Sequence, residues 1–276
     1  MTRYGFIGTG SMGSMLIRQF TRTKTLRPEE ISACSRQGIS AQAVAADTGI
    51  TVKSSPREVA SDADVLFICV RPLDVHSVLS GILDLLSERT LLISIASCVT
   101  LENLKTWAGP DVRCVKVIPS LTAEEHAGIS LVAWGGGVTP ADRELVFSLF
   151  SAIGTPVEIQ EQHFELYADL TSCAPALFAA MMQEFASAAV RREGVPLALA
   201  EFLVRQTLIG TARLLEEADT GFDELIGRVA TKGGITEEGV KVLEGRLPAV
   251  YDELLEVTLA KYALLKKQIA DQDRHK

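Results

Sequence analysis

The sequence predicts an α/β protein: an N-terminal Rossmann-type, doubly wound sheet followed by an all-α domain. Three observations predict it. The glycine-rich segment Gly8-Thr9-Gly10-Ser11-Met12-Gly13 directly follows the first apolar run and opens an amphipathic stretch. Short apolar runs then alternate with helical patterns, as in a mostly parallel sheet covered on both faces. Beyond residue 163 the strand-like alternation disappears and alanine becomes abundant. The polar stretch Gln160-Glu161-Gln162 marks the expected boundary between domains 1–162 and 163–276, and seven of the ten prolines and thirteen of the 21 glycines precede it.

Taken in order, residues 4–8, 31–34, 65–70, 91–95, 113–118, 129–134 and 156–159 read as strands. Residues 65–70 are apolar without interruption, which fits a central strand buried on both sides. Residues 12–20, 41–46 and 73–86 carry the amphipathic spacing of helices. In the second half, helices are expected over 175–192, 197–218, 222–229, 237–245 and, restarting at Pro248, 248–270. Residues 174–189 are apolar around nearly the whole helical circumference, broken by Gln183 and Glu184. Such a helix must be buried on all sides. A domain of little more than ~100 residues rarely surrounds one completely, so a homodimer through the helical domain, or a higher assembly, is expected.

Composition narrows the function. Of 276 residues, 27 are Lys or Arg and 35 Asp or Glu, for a net charge of −8. That balance argues against a nucleic-acid coat protein or a polybasic membrane binder. The excess splits as 14 basic against 17 acidic residues before residue 163 and 13 against 18 after it. The best apolar runs, 63–70 and 91–99, fall short of the ~18 residues of a spanning helix, so no membrane is expected. The N-terminus lacks the pattern of a signal peptide. Five cysteines without CxxC spacing argue against disulfides and zinc and favour the cytoplasm. No His or carboxylate cluster has metal-ligand spacing, so no metal is expected. Lys105, Lys116 and the other basic residues form no aromatic-interleaved stripe for nucleic acid.

The glycine segment carries the chemistry. Glycines at 8, 10 and 13 suit a tight turn, close backbone approach to a pyrophosphate, and close packing of helix on strand; Thr9, Ser11 and Met12 complete the cofactor loop. The sequence context, strand before and helix after, makes the match specific. An acid at the end of the second strand would hold the ribose 2′-hydroxyl of NAD. Cys34-Ser35-Arg36 stands there instead, and the nearest acids in sequence, Glu29 and Glu30, precede the strand. The Ser35 hydroxyl and Arg36 guanidinium suit a 2′-phosphate, which favours NADP(H) over NAD(H). Val70-Arg71-Pro72 and Ala96-Ser97 follow later strands at the edge where open α/β sheets bind ligands.

These segments, with Pro175-Ala176 and Gly233-Gly234-x-Thr236-x-x-Gly239, occur in the order seen in pyrroline-5-carboxylate reductases, which the chain resembles over nearly its whole length. The resemblance implies a Rossmann domain and a helical dimerisation domain with interlocking chains. It also implies reduction of the C=N bond of pyrroline-5-carboxylate to L-proline by NAD(P)H. Carried over by residue, Thr231, Gly233, Gly234, Ile235 and Thr236 fall on the loop at the substrate, with Thr236 as partner of the ring nitrogen or proton relay. Ser120 and Cys173 fall on two further substrate segments, and Arg71 on a position where the family usually has lysine. Read without the family, Thr236 is a helix N-cap residue ahead of Glu237 and Glu238.

The chain departs from the family pattern at Thr171-Ser172-Cys173-Ala174-Pro175, at Ile118-Pro119-Ser120-Leu121-Thr122, and at Lys232 and Ile235. This pattern resembles that of a divergent branch, the late-competence reductase-like proteins. Three readings stay open: an imine reductase, a silent NADP-binding paralogue, and a β-hydroxyacid dehydrogenase. The last needs a lysine on the long interdomain helix, and residues 175–192 contain none. Cys173 is expected as a small packed residue rather than a nucleophile. His76, His126, His163 and His275 are scattered, with surface or packing roles.

Overall fold

The computed structural model describes residues 1–217 and 221–274; the expected helix end at Ala218 and the position of His275 lie outside them. The chain forms two compact units, one of Met1–Cys173 together with the chain from Leu259 onward, the other of Ala174–Thr258. These units divide at residues 173 and 258, where the sequence places its domain boundary at 162.

The first unit runs β1 (Tyr4–Ile7), α1 (Ser11–Arg22), β2 (Ile31–Cys34), α2 (Ile39–Thr48), β3 (Thr51–Val52), α3 (Pro56–Ala60), β4 (Val65–Ile68), α4 (Val75–Ser80), β5 (Leu91–Ser94), α5 (Leu101–Ala108), β6 (Arg113–Pro119), β7 (Gly128–Trp134), α6 (Pro140–Ser151), β8 (Gly154–Glu158) and α7 (Phe164–Ala168). One eight-stranded sheet results, in the order β3-β2-β1-β4-β5-β6-β7-β8, with β6 and β7 antiparallel and every other pair parallel. From β1 the chain steps outward to β2 and β3, then returns to β4 on the other side of β1. That reversal places a crevice at the carboxyl ends of β1 and β4, where open sheets bind ligands.

Both sheet faces are buried because alternate side chains serve different cores. Tyr4, Phe6, Val65 and Phe67 point into one core with Phe20 of α1 and Phe150 of α6. Ile7, Leu66 and Ile68 point into the other with Leu79 of α4 and Trp107 of α5. Phe6 and Phe67 are paired in register and stack at 4.3 Å between centroids, while Phe20 meets Phe150 edge-on at 5.8 Å. Gly5 allows α3 to approach β1, since a Cβ there would lie 2.6 Å from Val59 Cγ1.

One sequence expectation in this unit is corrected, and three helices are added to it. The single helix over 73–86 is instead α4 flanked by 3₁₀ turns at Pro72–Asp74 and Leu83–Leu85, because the chain leaves the helix at Gly81. Helices α3, α5 and α6, which apolar periodicity does not reveal, are set by their caps. The hydroxyls of Ser55, Thr100 and Thr139 accept the backbone N–H of Glu58, Asn103 and Asp142.

The second unit holds α8 (Ala174–Glu193), α9 (Leu197–Glu217), α10 (Phe222–Val229) and the start of α11 (Ile235–Arg274). The two helices expected on either side of Pro248 are one: α11 spans 40 residues with Pro248 inside it. A proline removes one backbone hydrogen bond and strains one turn, and the turns on both sides here stay helical. The apolar circumference of α8 is not enclosed within the chain. Only Ala174 and Ala186 are buried, whereas Phe178 and Phe185 are 52% and 68% exposed. The continuous helical run Glu161–Glu193 is long and apolar enough, by length and composition, to cross a membrane. Counting uninterrupted apolar residues misses this, because hydropathy averages across isolated polar positions. The last part of α11 belongs to the first unit, where Ile269 is fully buried and Tyr262 and Leu265 pack against the α4–α5 core.

Candidate functional site

The glycine loop of the first unit is a tight turn between β1 and α1. Gly8 adopts φ +101°, and a Cβ there would lie 2.6 Å from Cys69 O. At Gly13 a Cβ would lie 2.2 Å from Gly8 O, so α1 can reach the sheet only with glycine. Gly10 differs, because its Cβ would meet nothing within 4 Å. Nothing among the described residues requires a glycine there; the open space above its backbone suits a pyrophosphate. Gly10 caps α1 without a side-chain bond, and no acid stands in the first turn, so the N–H groups and the positive helix end remain uncompensated. The loop is braced from below. Ser14 Oγ donates to Thr9 O at 2.7 Å, and the Thr9 and Ser40 hydroxyls share a hydrogen bond of 2.7 Å. Thr9 is buried, so its side chain stiffens the loop. Ser11 and Met12 occupy the first turn of α1.

Beside the loop lies a pocket of about 300 Å³ lined by Gly8, Ser35, Arg36, Val70, Asp74 and neighbours. It brings Ser35 and Arg36, from the end of β2, together with Val70, from the end of β4. Cys34 forms a neutral wall, its thiol pushed up to about 11 by burial. Ser35 Oγ accepts from Ala41 N at 3.4 Å. Arg36 Nη2 lies 3.0 Å from Asp74 Oδ1, and Arg71 Nε donates to Asp74 Oδ2 at 2.9 Å. Burial pulls the Asp74 carboxyl upward, and the bonds from Arg71 and Arg36 outweigh it, holding the group below the usual carboxylate range. The nearest acid to Arg36 in space is thus Asp74, brought from another strand, whereas Glu30 is engaged by Arg27 at 2.8 Å. Pro72 starts the 3₁₀ turn that presents Asp74.

Further along the same sheet edge, Ala96 is buried and its N–H reaches Ser94 Oγ at 3.3 Å, while Ser97 is half-buried. Ser120, at the end of β6, is buried and donates to Thr171 O at 3.1 Å; in return Ser172 Oγ donates to Pro119 O at 3.1 Å. These reciprocal bonds staple the β6 end to a π-helical turn, Asp169–Cys173, a geometry frequent at functional sites. Cys173 Sγ lies 3.4 Å from Tyr262 Oη, whose hydroxyl donates to Asp169 Oδ1 at 3.3 Å. Burial is the main cause that raises the Cys173 thiol, which argues against a thiolate nucleophile. Tyr262 is likewise pushed up, chiefly by burial.

In the second unit, Thr231–Thr236 forms a turn entering α11. Gly233 has φ +76°, and Gly234 N donates to Thr231 O at 2.9 Å. The Gly233 N–H is taken by Glu237 Oε2 at 2.6 Å. Thr236 is exposed in the first turn of α11, and Ile235 is 94% exposed.

Comparison with known proteins decides the family. A family profile described as pyrroline-5-carboxylate reductase dimerisation matches residues 161–265, and one described as NADP oxidoreductase, coenzyme F420-dependent, matches residues 3–97. Pyrroline-5-carboxylate reductase 3 of Bacillus subtilis (strain 168) is 35% identical over 274 residues, covering 99% of this chain and 100% of the other. The chain belongs to the pyrroline-5-carboxylate reductase family. It is thereby an NAD(P)H-dependent oxidoreductase of the class that acts on C=N bonds. ComE operon protein 4 of the same organism is 32% identical over 96% of this chain and 98% of its own length, in agreement with the divergent branch expected from the motifs. The solved pyrroline-5-carboxylate reductase of Coxiella burnetii superposes with a TM-score of 0.87 at 26% identity, over 96% of this chain and 98% of the other.

Within this reductase fold, sequence reasoning missed four polar residues. Asp74 and Ser40 come from outside the motifs and meet them only through the sheet. Tyr262 sits on the last helix without any local signal. Lys116, which the sequence distinguishes only as a base outside any aromatic-interleaved stripe, is fully buried in β6. Its Nζ lies over the Phe164 ring at 4.4 Å and 3.8–3.9 Å from Glu161 and Glu165. Lys266 of α11 reaches Glu165 at 2.8 Å. The alternation of β6 carries the only hint, since it points Lys116 away from Val115 and Val117.

Proposed function

We propose that the chain reduces the C=N bond of pyrroline-5-carboxylate, or a related cyclic imino acid, with NADPH preferred over NADH, as a homodimer assembled through its helical unit in the cytoplasm. The observation that carries this reading is Gly10: the one glycine of the loop with empty space where its side chain would be, beneath an uncapped helix end. When bound, reduced nicotinamide would supply the hydride for the imine carbon of a substrate whose ring nitrogen already carries a proton. Such a step needs little acid–base machinery. The protein binds and orients. N–H groups of α1 and the loop hold the pyrophosphate, and Ser35 and Arg36 receive the 2′-phosphate. Ala96 and Ser97 let the cofactor pass close to the backbone. Thr236 is assigned as hydrogen-bond partner of the ring nitrogen. Thr231 and the Gly234 segment, with Lys232 beside them, are the substrate-carboxylate elements, and Ser120 and Cys173 shape the substrate side through the stapled turn. The exposed apolar faces of α8 and α9 support assembly between chains.

The test is purified protein with NADPH and pyrroline-5-carboxylate, following loss of reduced-nicotinamide absorbance and formation of proline. Turnover that is sharply reduced by Thr236→Ala supports the assignment. A second reading, a dinucleotide-binding paralogue without turnover, is favoured by one observation: the Gly233 N–H is already occupied by Glu237. Tight NADPH binding with no consumption at high protein concentration would establish that reading instead.

A further inference from the structure

Asp74 is the one carboxylate among the described residues lining the pocket beside the glycine loop. It bridges two guanidinium groups from different parts of the sheet edge, Arg36 after β2 at 3.0 Å and Arg71 after β4 at 2.9 Å. The arginine side chains are 72% and 76% exposed, while that of Asp74 is 27% exposed. The carboxylate is therefore the sheltered member, and it holds two exposed cations, Arg36 in the pocket lining and Arg71 beside it. Guanidinium groups bind carboxylate and phosphate oxygens in the same forked geometry. Asp74 thus sits where an anionic ester between the two arginines would sit. Charge sharpens the point. The cluster carries one net positive charge, against about −1.5 to −2 for a phosphomonoester at neutral pH. Without Asp74 the two arginines would match such an ester. A carboxylate at this place also offers what an unphosphorylated ribose needs, an acceptor for its hydroxyl.

We infer that Asp74 is a specificity-determining residue of the dinucleotide pocket. It competes with a ribose 2′-phosphate for Arg36 and Arg71 and accepts the 2′-hydroxyl when that phosphate is absent, so NADH remains a usable cofactor beside NADPH. The inference rests on the reading that this pocket takes the adenosine end of NAD(P)H.

Direct binding tests it without turnover. Wild type, Asp74→Asn, Arg36→Ala and the double variant are titrated with NADPH and with NADH, following nicotinamide fluorescence. Asp74→Asn is expected to tighten NADPH about tenfold and to weaken NADH several-fold, the scale of one charge-assisted hydrogen bond. In the Arg36→Ala background the NADPH gain should fall to less than half, because Asp74 then competes for one guanidinium only. Asp74→Ser serves as a second variant should the amide disturb the turn, and must shift the ratio in the same direction. An unchanged NADPH-to-NADH ratio, or weaker NADPH binding in both variants, overturns the inference while the pocket reading stands. Failure of the wild type to bind either dinucleotide overturns both.

Discussion

Gly10 and Gly13 stand three residues apart in one loop, yet their substitution should have opposite consequences. Gly13→Ala forces a Cβ to 2.2 Å from Gly8 O, so it should destabilise the fold by about 1–3 kcal/mol, the usual cost of overpacking, seen as a lowered melting temperature. Gly10→Ala places a methyl in open space at φ −70°, and the melting temperature should hold to within about 0.5 kcal/mol. NADPH affinity, by contrast, should drop at least ~10-fold, because the methyl fills the pyrophosphate's path. Equal melting losses in both variants would refute the division of roles. Glu237 invites a similar test at the other end of the reaction. Its carboxylate occupies the Gly233 N–H in the loop assigned to an anionic substrate. Glu237→Gln should lower KM for pyrroline-5-carboxylate by roughly tenfold with little change in kcat, as expected when a repulsion felt equally in the ground and transition states is removed. A kcat effect without a KM effect would count against this role.

At the scale of elements, β6 carries a charge into a core. Lys116 is enclosed by Glu161 from the turn leading into α7, by Glu165 of α7 itself, by Lys266 from α11, and by Cys98 and the Phe164 ring. Burial lowers its amine below the ordinary lysine value, the two glutamates opposing that shift and Lys266 adding to it. With the folded-state value depressed, the unfolded chain binds more protons between the two values, so stability rises with pH across that window. The contribution of Lys116 should therefore improve as pH climbs toward the ordinary lysine range. Comparing denaturant unfolding of wild type and Lys116→Met should show the two curves converging or crossing with rising pH; a gap independent of pH would remove the amine from the account. The same elements show what the sequence makes legible. Strand β2 and helix α10 are evident from residue patterns because their apolar spacing is continuous. Helices α5 and α6 announce themselves through Thr100 and Thr139-Pro140, cap signals that apolar periodicity overlooks. Strand β3 is two residues long, too short for any alternation to register. The glycine loop and Arg36 are legible because one local segment carries each. Asp74, Ser40 and Tyr262 are not, because only the sheet order and the return of α11 bring them to their partners.

For the whole molecule, the second unit leaves a large apolar surface exposed in the single chain, with Phe185, Phe202, Leu203 and Phe222 all exposed. Faces of this extent mark assembly surfaces, and the dimerisation profile covers them. Phe185→Asp should move the protein toward the monomer mass in sedimentation or light scattering, while NADPH still binds the first unit. A native mass unaltered by this and by Phe202→Asp would argue for a different interface. The long final helix has a further consequence for the chain's covalent layout. Because α11 ends inside the first unit, with Ile269 sealed in its core, the helical unit is an insertion rather than an appendage. No single protease scission can release the sheet as an intact body. Cuts near residues 173 and 258 are both needed, and a fragment ending at residue 173 would leave the α4–α5 core open where Tyr262, Leu265 and Ile269 belong.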